Sequence, residues 1–189
     1  MHEHAQTDRP ILYTAIFGDK DALIDDHGGV EGWRKICFTD NPALLSDRVE
    51  VVIVPPISAD PVRCARYYKL LPHLHLPNAP LSVWIDGSIR IVADDFTDLV
   101  DGWLADAPVA TVRHPQRTCV YEEGRQVIRL GKDDPHLVRR QLKEYRSMDV
   151  PRDLGLHVTA IMCRRHMADD VRRLSEEWWD LLVHFSRRD

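Results

Sequence analysis

The chain has no excess of positive charge: 25 Lys and Arg stand against 30 Asp and Glu, for a formal net charge of -5. A nucleic-acid binder shows a basic face or stripe. Here the short pairs Arg139-Arg140, Arg164-Arg165, Arg172-Arg173 and Arg187-Arg188 are interleaved with acids, so no nucleic-acid partner is expected. A local cleft for a small phosphorylated ligand stays open. No run approaches the ~18–20 apolar residues needed to cross a bilayer, and the polar residues 1–10 lack the basic and apolar parts of a secretion signal. A cytoplasmic protein without a transmembrane segment is expected. The cysteines Cys37, Cys64, Cys119 and Cys163 are widely spaced and sit in or beside apolar runs, with no C-x2-C pair. They read as buried free thiols rather than a metal knuckle. G-x-G-x-x-G, the P-loop pattern, G-x-S-x-G and H-E-x-x-H are all missing, which argues against dinucleotide, P-loop, nucleophile-elbow and zincin chemistries. Neither an internal repeat nor a low-complexity segment is present.

What remains is an alternation of short β-rich and helical segments over a length of 189 residues, which suits one domain. Residues 11–17 read as a buried strand that stops at Gly18-Asp19, before a loop over 19–32 rich in Asp and Gly. Strands at 33–38 and 49–54 end in Thr39-Asp40-Asn41-Pro42 and Pro55-Pro56. Asp60-Pro61 opens a helix over 62–71, since Asp caps free amides and Pro suits the first helical position. A strand from Leu81 runs into the turn Asp86-Gly87. Helices at 95–106, 119–130 and 135–148 and strands at 109–112 and 156–163 follow. The last helix is marked by Val171, Leu174, Trp178, Leu181, Leu182 and Phe185 at spacings of three and four. The fold class is therefore α/β, a Rossmann-like, mixed and mainly parallel sheet flanked by helices over residues 11–189, behind a flexible tail over 1–10. Ligands of such sheets sit at the carboxyl ends of the strands.

Among residues able to carry chemistry, Asp86 stands out. An apolar strand delivers it into a glycine turn at the sheet edge, where a carboxylate can hold a hard divalent cation and, through it, a phosphate. Asp-Gly is also an ordinary turn pair. Arg63, Arg66 and Lys69 lie on one helix; 63 and 66 share a face and 69 is about 60° further round. They read as a diphosphate-binding face or as a solvated basic one. His114 follows a strand and precedes Pro115 and Arg117, as a site residue or a cap. Glu122 and Glu123 open a helix, where acids favour the dipole in any case, and one turn cannot point both inward. His73 and His75 lack partners at zinc spacing. Adjacent Trp178 and Trp179 cannot both face one core, which leaves one for a partner surface, such as that of a homo-oligomer, or for the edge of the site.

Six blocks carry more specific information: Tyr13-Thr14-Ala15-Ile16-Phe17-Gly18-Asp19-Lys20-Asp21, Cys37-Phe38-Thr39-Asp40, Ala65-Arg66-Tyr67-Tyr68-Lys69-Leu70-Leu71-Pro72-His73, Ser82-Val83-Trp84-Ile85-Asp86-Gly87-Ser88, His114-Pro115-Gln116-Arg117-Thr118-Cys119-Val120-Tyr121-Glu122-Glu123 and Phe185-Ser186-Arg187-Arg188-Asp189. In this order they resemble the glycosyltransferase-like domain of the plant TOD and MUCI proteins and their bacterial relatives. The resemblance implies a GT-A type fold that binds a nucleotide diphosphate sugar, a uridine one by likeness, and transfers the sugar to the hydroxyl of a glycan or other acceptor. It implies that Thr14, Ala15, Phe17 and Gly18 line the nucleoside, with Asp40 near the base or ribose. Arg66 and Lys69 would face the diphosphate or sugar, and His114, Arg117 and Glu122 or Glu123 would form the opposite wall. Asp86 looks like the surviving acid of the Asp-x-Asp element and the ligand of Mn2+ or Mg2+; two residues on stands Ser88 in place of a second Asp. Asp189 or Glu122 would serve as a general base if configuration inverts. In relatives the Arg-Asp pair at 188 and 189 is followed by Gln and a further apolar stretch, so a domain cut short at its C-terminus is expected. The competing readings are a non-catalytic nucleotide- or glycan-binding module acting through a partner and, more weakly, a nucleotidyltransferase.

Overall fold

The computed structural model describes residues 9–188. Its elements run β1 (Ile11–Ile16), β2 (Arg34–Thr39), β3 (Glu50–Ile53), α1 (Pro61–Leu70), the short α2 (Pro72–His75), β4 (Ser82–Ile85), α3 (Phe96–Trp103), β5 (Val109–Arg113), α4 (Val120–Arg129), α5 (Pro135–Ser147), β6 (His157–Arg164) and α6 (Asp169–His184). The strands form one six-stranded sheet in the order β3-β2-β1-β4-β6-β5. β1, β2, β3 and β4 are parallel, while β6 runs antiparallel to both β4 and β5. This is the mixed, mainly parallel α/β architecture that the alternation of elements implies.

Side-chain alternation along β1 sorts the core. Ile11, Tyr13, Ala15 and Phe17 face a cluster with Cys64 and Tyr68 of α1, Trp84 of β4 and Met162 of β6. Leu12 faces the opposite cluster with Val83, Phe96 and Val100, beneath α3. Successive strand residues point to opposite faces, so a strand buried on both sides reads as the unbroken apolar run seen in the sequence. All four cysteines are free and buried, and burial pushes the thiols of Cys37 and Cys163 up to about 12. α4 and α5 pack on each other around a smaller cluster of their own, Cys119, Tyr121, Val127, Val138 and Leu142.

β1 has β2 on one side and β4 on the other, and α1 carries the chain across between β3 and β4. The carboxyl ends of β1 and β4 therefore form the reversal of strand order at which open α/β sheets leave a crevice. α6 lies on α1, and both of its tryptophans turn inward. Trp178 packs on the main cluster and the Trp179 ring meets Tyr67 edge-on at 5.3 Å. Both indoles are half-buried. No helix among the described residues is long and apolar enough to cross a membrane.

Candidate functional site

β4 is buried along its whole length and stops at Ile85. The Asp86 amide still donates to Ala160 of β6 at 2.8 Å, and its carbonyl accepts from Ile89 at 2.9 Å to close the turn. The carboxylate is thus held at the sheet edge, one-third exposed at 32%. Its Oδ1 accepts from the indole Nε1 of Trp84 at 2.7 Å, since residues two apart on a strand share a face. The same oxygen has Lys69 Nζ at 3.4 Å and Arg66 at 3.9 Å.

The three basic residues of α1 take separate roles. Arg63 donates to the carbonyls of Leu182 and Phe185 at the end of α6. Arg66 reaches the crevice. Lys69 is fully buried and lies behind Asp86, with Nζ donating to Thr159 Oγ1 at 2.9 Å and resting 5.5 Å from the Trp84 ring centre. Its own carbonyl accepts from Tyr13 Oη at 3.1 Å and from Arg164. A buried ammonium is stable only when paired and hydrogen-bonded. Lys69 orients the carboxylate and does not face the crevice, a correction to its expected place at the diphosphate.

Two cavities meet at this carboxylate. The smaller, of about 190 Å³, is lined by Ala15, Phe17, Lys20, Asp21, Pro61, Val62, Ala65, Trp84, Gly87 and Ser88. The larger, of about 370 Å³, lies between the sheet and α4–α5 and is lined by His114, Arg117, Glu123, Lys132, Gln141, Tyr145, His157, Thr159 and Trp178. Arg66, Asp86 and Arg188 line both. Two openings that share a carboxylate and two guanidiniums suit two ligands meeting at one point. Their volumes fall at and below the lower end of the usual range for small-molecule sites, roughly 300–1,000 Å³.

The loop after β1 is shaped for this approach. Gly18 has φ of 61°, and a Cβ there would stand 3.1 Å from the Pro61 side chain. Its amide donates to Asp40 Oδ1 at 3.1 Å. A Cβ on Gly87 would come within 3.0 Å of the Asp21 side chain. Glycine lets the two loops touch.

The structure brings Ala15, Phe17, Arg66, Asp86, His114 and Arg117 to the cavities. It places four other candidates differently. Thr14 points to the far face of the sheet, as alternation along β1 demands, and its buried hydroxyl finds no hydrogen-bond partner among the described residues. Gly18 and Asp40 shape the loop without lining either cavity. Glu122 turns outward to Arg125 and Arg152, at 3.8 and 3.7 Å. One helical position further on, Glu123 turns inward and pairs with Arg117. Asp189 lies outside the described residues.

His114 has close neighbours at both ring nitrogens. Nδ1 accepts from the amides of Gln116 at 3.1 Å and Arg117 at 2.9 Å. Nε2 lies 2.9 Å from the Arg117 guanidinium; because a neutral imidazole keeps a proton on one nitrogen and Nδ1 accepts, this is a close contact and not a second accepted bond. The ring organises the wall beside Arg117. The reading from sequence missed Lys20, Asp21 and Arg188 as lining residues. Lys20 and Asp21 stand in the loop after β1, where strand-end ligands are expected, and Arg188 stands in the last of the six blocks; the signal lay in those blocks, which were not read for these residues.

Residues 47–158, from the start of β3 to the start of β6, match the family described as TOD1/MUCI70, glycosyltransferase-like domain. The chain belongs to this family. The matched TOD1/MUCI70 segment contains α1 with Arg66, the Asp86 turn and the whole His114–Glu123 wall. A curated relative, the "Probable hexosyltransferase MUCI70" of Arabidopsis thaliana, is 29% identical over 137 residues. That match takes in 72% of this chain and 22% of the relative, so the chain spans about a fifth of the plant protein's length.

A metal-binding role for Asp86 has to be weighed against the donors present. No group of three or more His, Cys, Asp or Glu able to hold an ion occurs among the described residues. Oδ1 of Asp86 is already engaged by two cations and an indole. The site offers one carboxylate at the junction, with Asp21 beside it in the smaller cavity. This set fits an ion that arrives with a ligand's own oxygens better than one held by protein alone.

Proposed function

We propose that this TOD1/MUCI70-family domain transfers a hexose from a nucleotide diphosphate sugar, a uridine one by family likeness, to the hydroxyl of a glycan or similar acceptor on a GT-A-type scaffold. The observation that carries the reading is the junction of two cavities at Asp86, Arg66 and Arg188. The nucleoside occupies the smaller cavity beside Ala15 and Phe17, and the acceptor occupies the larger one beside Tyr145 and Trp178. The bond between the anomeric carbon and the diphosphate oxygen breaks at the junction, and its electron pair leaves with the diphosphate. The acceptor oxygen forms the new bond to that carbon and loses its proton; if configuration inverts, the carboxylate that takes it is Glu123, which stands in the larger cavity paired with Arg117. Arg66 neutralises charge where it develops on the departing diphosphate. Asp86, fixed by Trp84 and Lys69, orients the sugar at the junction. Asp86 and the diphosphate oxygens would together hold Mn2+ or Mg2+, which would supply further charge neutralisation.

The test is calorimetric titration and turnover with a panel of uridine and guanosine diphosphate sugars, with and without Mn2+. We expect Mn2+ to bind with the nucleotide and far more weakly to the free protein. Asp86→Asn is expected to lower turnover by at least a hundredfold, with the unfolding midpoint little changed. Wild-type turnover in Asp86→Asn would refute the role of that carboxylate. Donor binding without turnover would favour the reading as a non-catalytic module.

A further inference from the structure

The segment that follows α6 is tied by polar bonds to α1 and to the start of α5. Arg63 of α1 donates to the carbonyls of Leu182 and, at 3.0 Å, Phe185, so a guanidinium closes the open end of the helix. Ser186 is 4% exposed, and its hydroxyl donates to Asp133 Oδ2 at 2.6 Å. The next amide, of Arg187, donates to the same oxygen at 2.7 Å. The Arg187 guanidinium then spans Asp60, at 2.9 Å, and Asp133, at 3.6 Å. Asp60 is itself the cap of α1, accepting from the Val62 amide, and Asp133 lies just before α5. Burial alone would raise the Asp133 carboxyl, but bonds from Ser186, the Asp134 and Arg187 amides and the Arg187 guanidinium outweigh it and hold it below the usual carboxylate range.

The next described residue, Arg188, is exposed and lines both cavities with Arg66 and Asp86. Its amide donates to Ser186 Oγ at 3.2 Å, so the backbone that carries it turns on the anchored serine. Three anchored residues thus carry an exposed guanidinium to the point where the two cavities meet.

We propose that residues 185–188 are a strap that presents Arg188 to the diphosphate of the donor, as a second cation opposite Arg66, with Asp133 and Arg187 as its positioning residues. The inference rests on the donor reading above. A planar guanidinium fork matches two phosphate oxygens at once, and its pre-organised geometry loses less freedom per hydrogen bond formed than a lysine ammonium does. Arg66 arrives from α1 and Arg188 from the strap, so the diphosphate is held from two elements and the leaving oxygen meets positive charge from both.

The experiment titrates uridine diphosphate and uridine into the wild-type chain, Arg188→Ala, Arg188→Lys, Asp133→Asn and the double variant Asp133→Asn/Arg188→Ala. Arg188→Ala is expected to weaken uridine diphosphate roughly tenfold and uridine less than about twofold, because only the diphosphate meets the guanidinium. Arg188→Lys should recover part of the loss. Asp133→Asn should show a similar loss, and adding Arg188→Ala to it should cost little more, since both remove one contact. Wild-type affinity in Arg188→Ala overturns the inference while leaving the donor reading in place, and full additivity in the double variant overturns the strap. A wild-type chain that binds no uridine diphosphate overturns both. Arg188 is exposed, so its variants test the inference even if Asp133→Asn does not fold.

Discussion

Arg66 and Lys69 are one helical turn apart and both approach the same carboxylate oxygen, yet they differ in what surrounds them. Lys69 has no exposed side-chain surface while Arg66 keeps 12% and lines both cavities. Lys69→Met would leave Asp86 without its buried partner, a change that costs about 2–3 kcal/mol when the remaining charge is partly solvated. Arg66→Met removes a cation that lines both cavities. The expected result is a crossed pair: urea unfolding falls more for Lys69→Met, and uridine diphosphate affinity falls more for Arg66→Met. Equal losses in both assays would show that the two residues share one role. The sequence made the chemistry of this pair legible but not its geometry. Spacing on a helix places residues on a face; it does not say which part of that face α6 and the sheet will cover. The same limit separated Glu123 from Glu122, where the step of one residue that distinguishes inward from outward is set by α5 packing against α4. Thr14 is the opposite case. Strand alternation already puts it on the other side from Ala15 and Phe17, and that period was available in the sequence.

The order and type of the major elements follow from local chemistry, and most bounds lie within a residue or two of the periodic patterns. Asp60-Pro61 and Asp134-Pro135 both open helices with the aspartate accepting from the second helical amide, as cap and N1 proline should. The short α2 and the reversed direction of β6 were not legible, because strand pairing is decided by distant partners. α3 is shorter than its pattern, Phe96–Trp103 against 95–106, with most of the difference at its C-terminal end, where Leu104 caps it. The α4–α5 pair carries a further consequence. It holds its own small cluster and roofs the larger cavity, so fewer apolar contacts join it to the sheet than join the strands to each other. Segments of this kind open at lower free energy than the global core. In native-state hydrogen exchange the amides of α4 and α5 should exchange faster than those of β1 and β4, and a bound acceptor or donor should slow them. Equal protection of the two regions in the free protein would show that the roof and the sheet open as one unit.

Across the whole molecule the ionisable groups give stability a definite dependence on pH. Burial holds the imidazoles of His75 and His166 down to about 4, helped at His75 by the nearby His73 and at His166 by Arg164 and His73, against a raising bond from Pro77. His73 is also lowered, chiefly by burial, although Glu176 beside it acts the other way. His166 is fully buried, its Nε2 bonded to the Pro77 carbonyl and its Nδ1 without a partner, so the native ring is neutral with the proton on Nε2. In the unfolded chain these rings take up protons near 6.5. Between there and about 4 the unfolded state binds more protons than the native one, and stability falls as pH falls. For His166 the full difference is about 3 kcal/mol. Asp133 enters later with the same sign. Its native carboxyl stays charged below the ordinary carboxylate range, so its contribution is present above that range and is lost as pH falls through it. The expected urea-unfolding free energy is therefore level from about pH 7 to 8, declines in a first step toward pH ~4 and again below it, and also declines above about pH 8, where the unfolded chain loses thiol protons that buried Cys37 and Cys163 keep. His166→Asn should shrink the first step to the part that His75 and His73 contribute and leave the second, whereas Asp133→Asn should remove the second and leave the first while also loosening the strap. A first step that persists at full size in His166→Asn would assign the acid sensitivity to other groups, and a free energy that rises on acidification below pH ~7 would contradict the buried neutral state of these histidines.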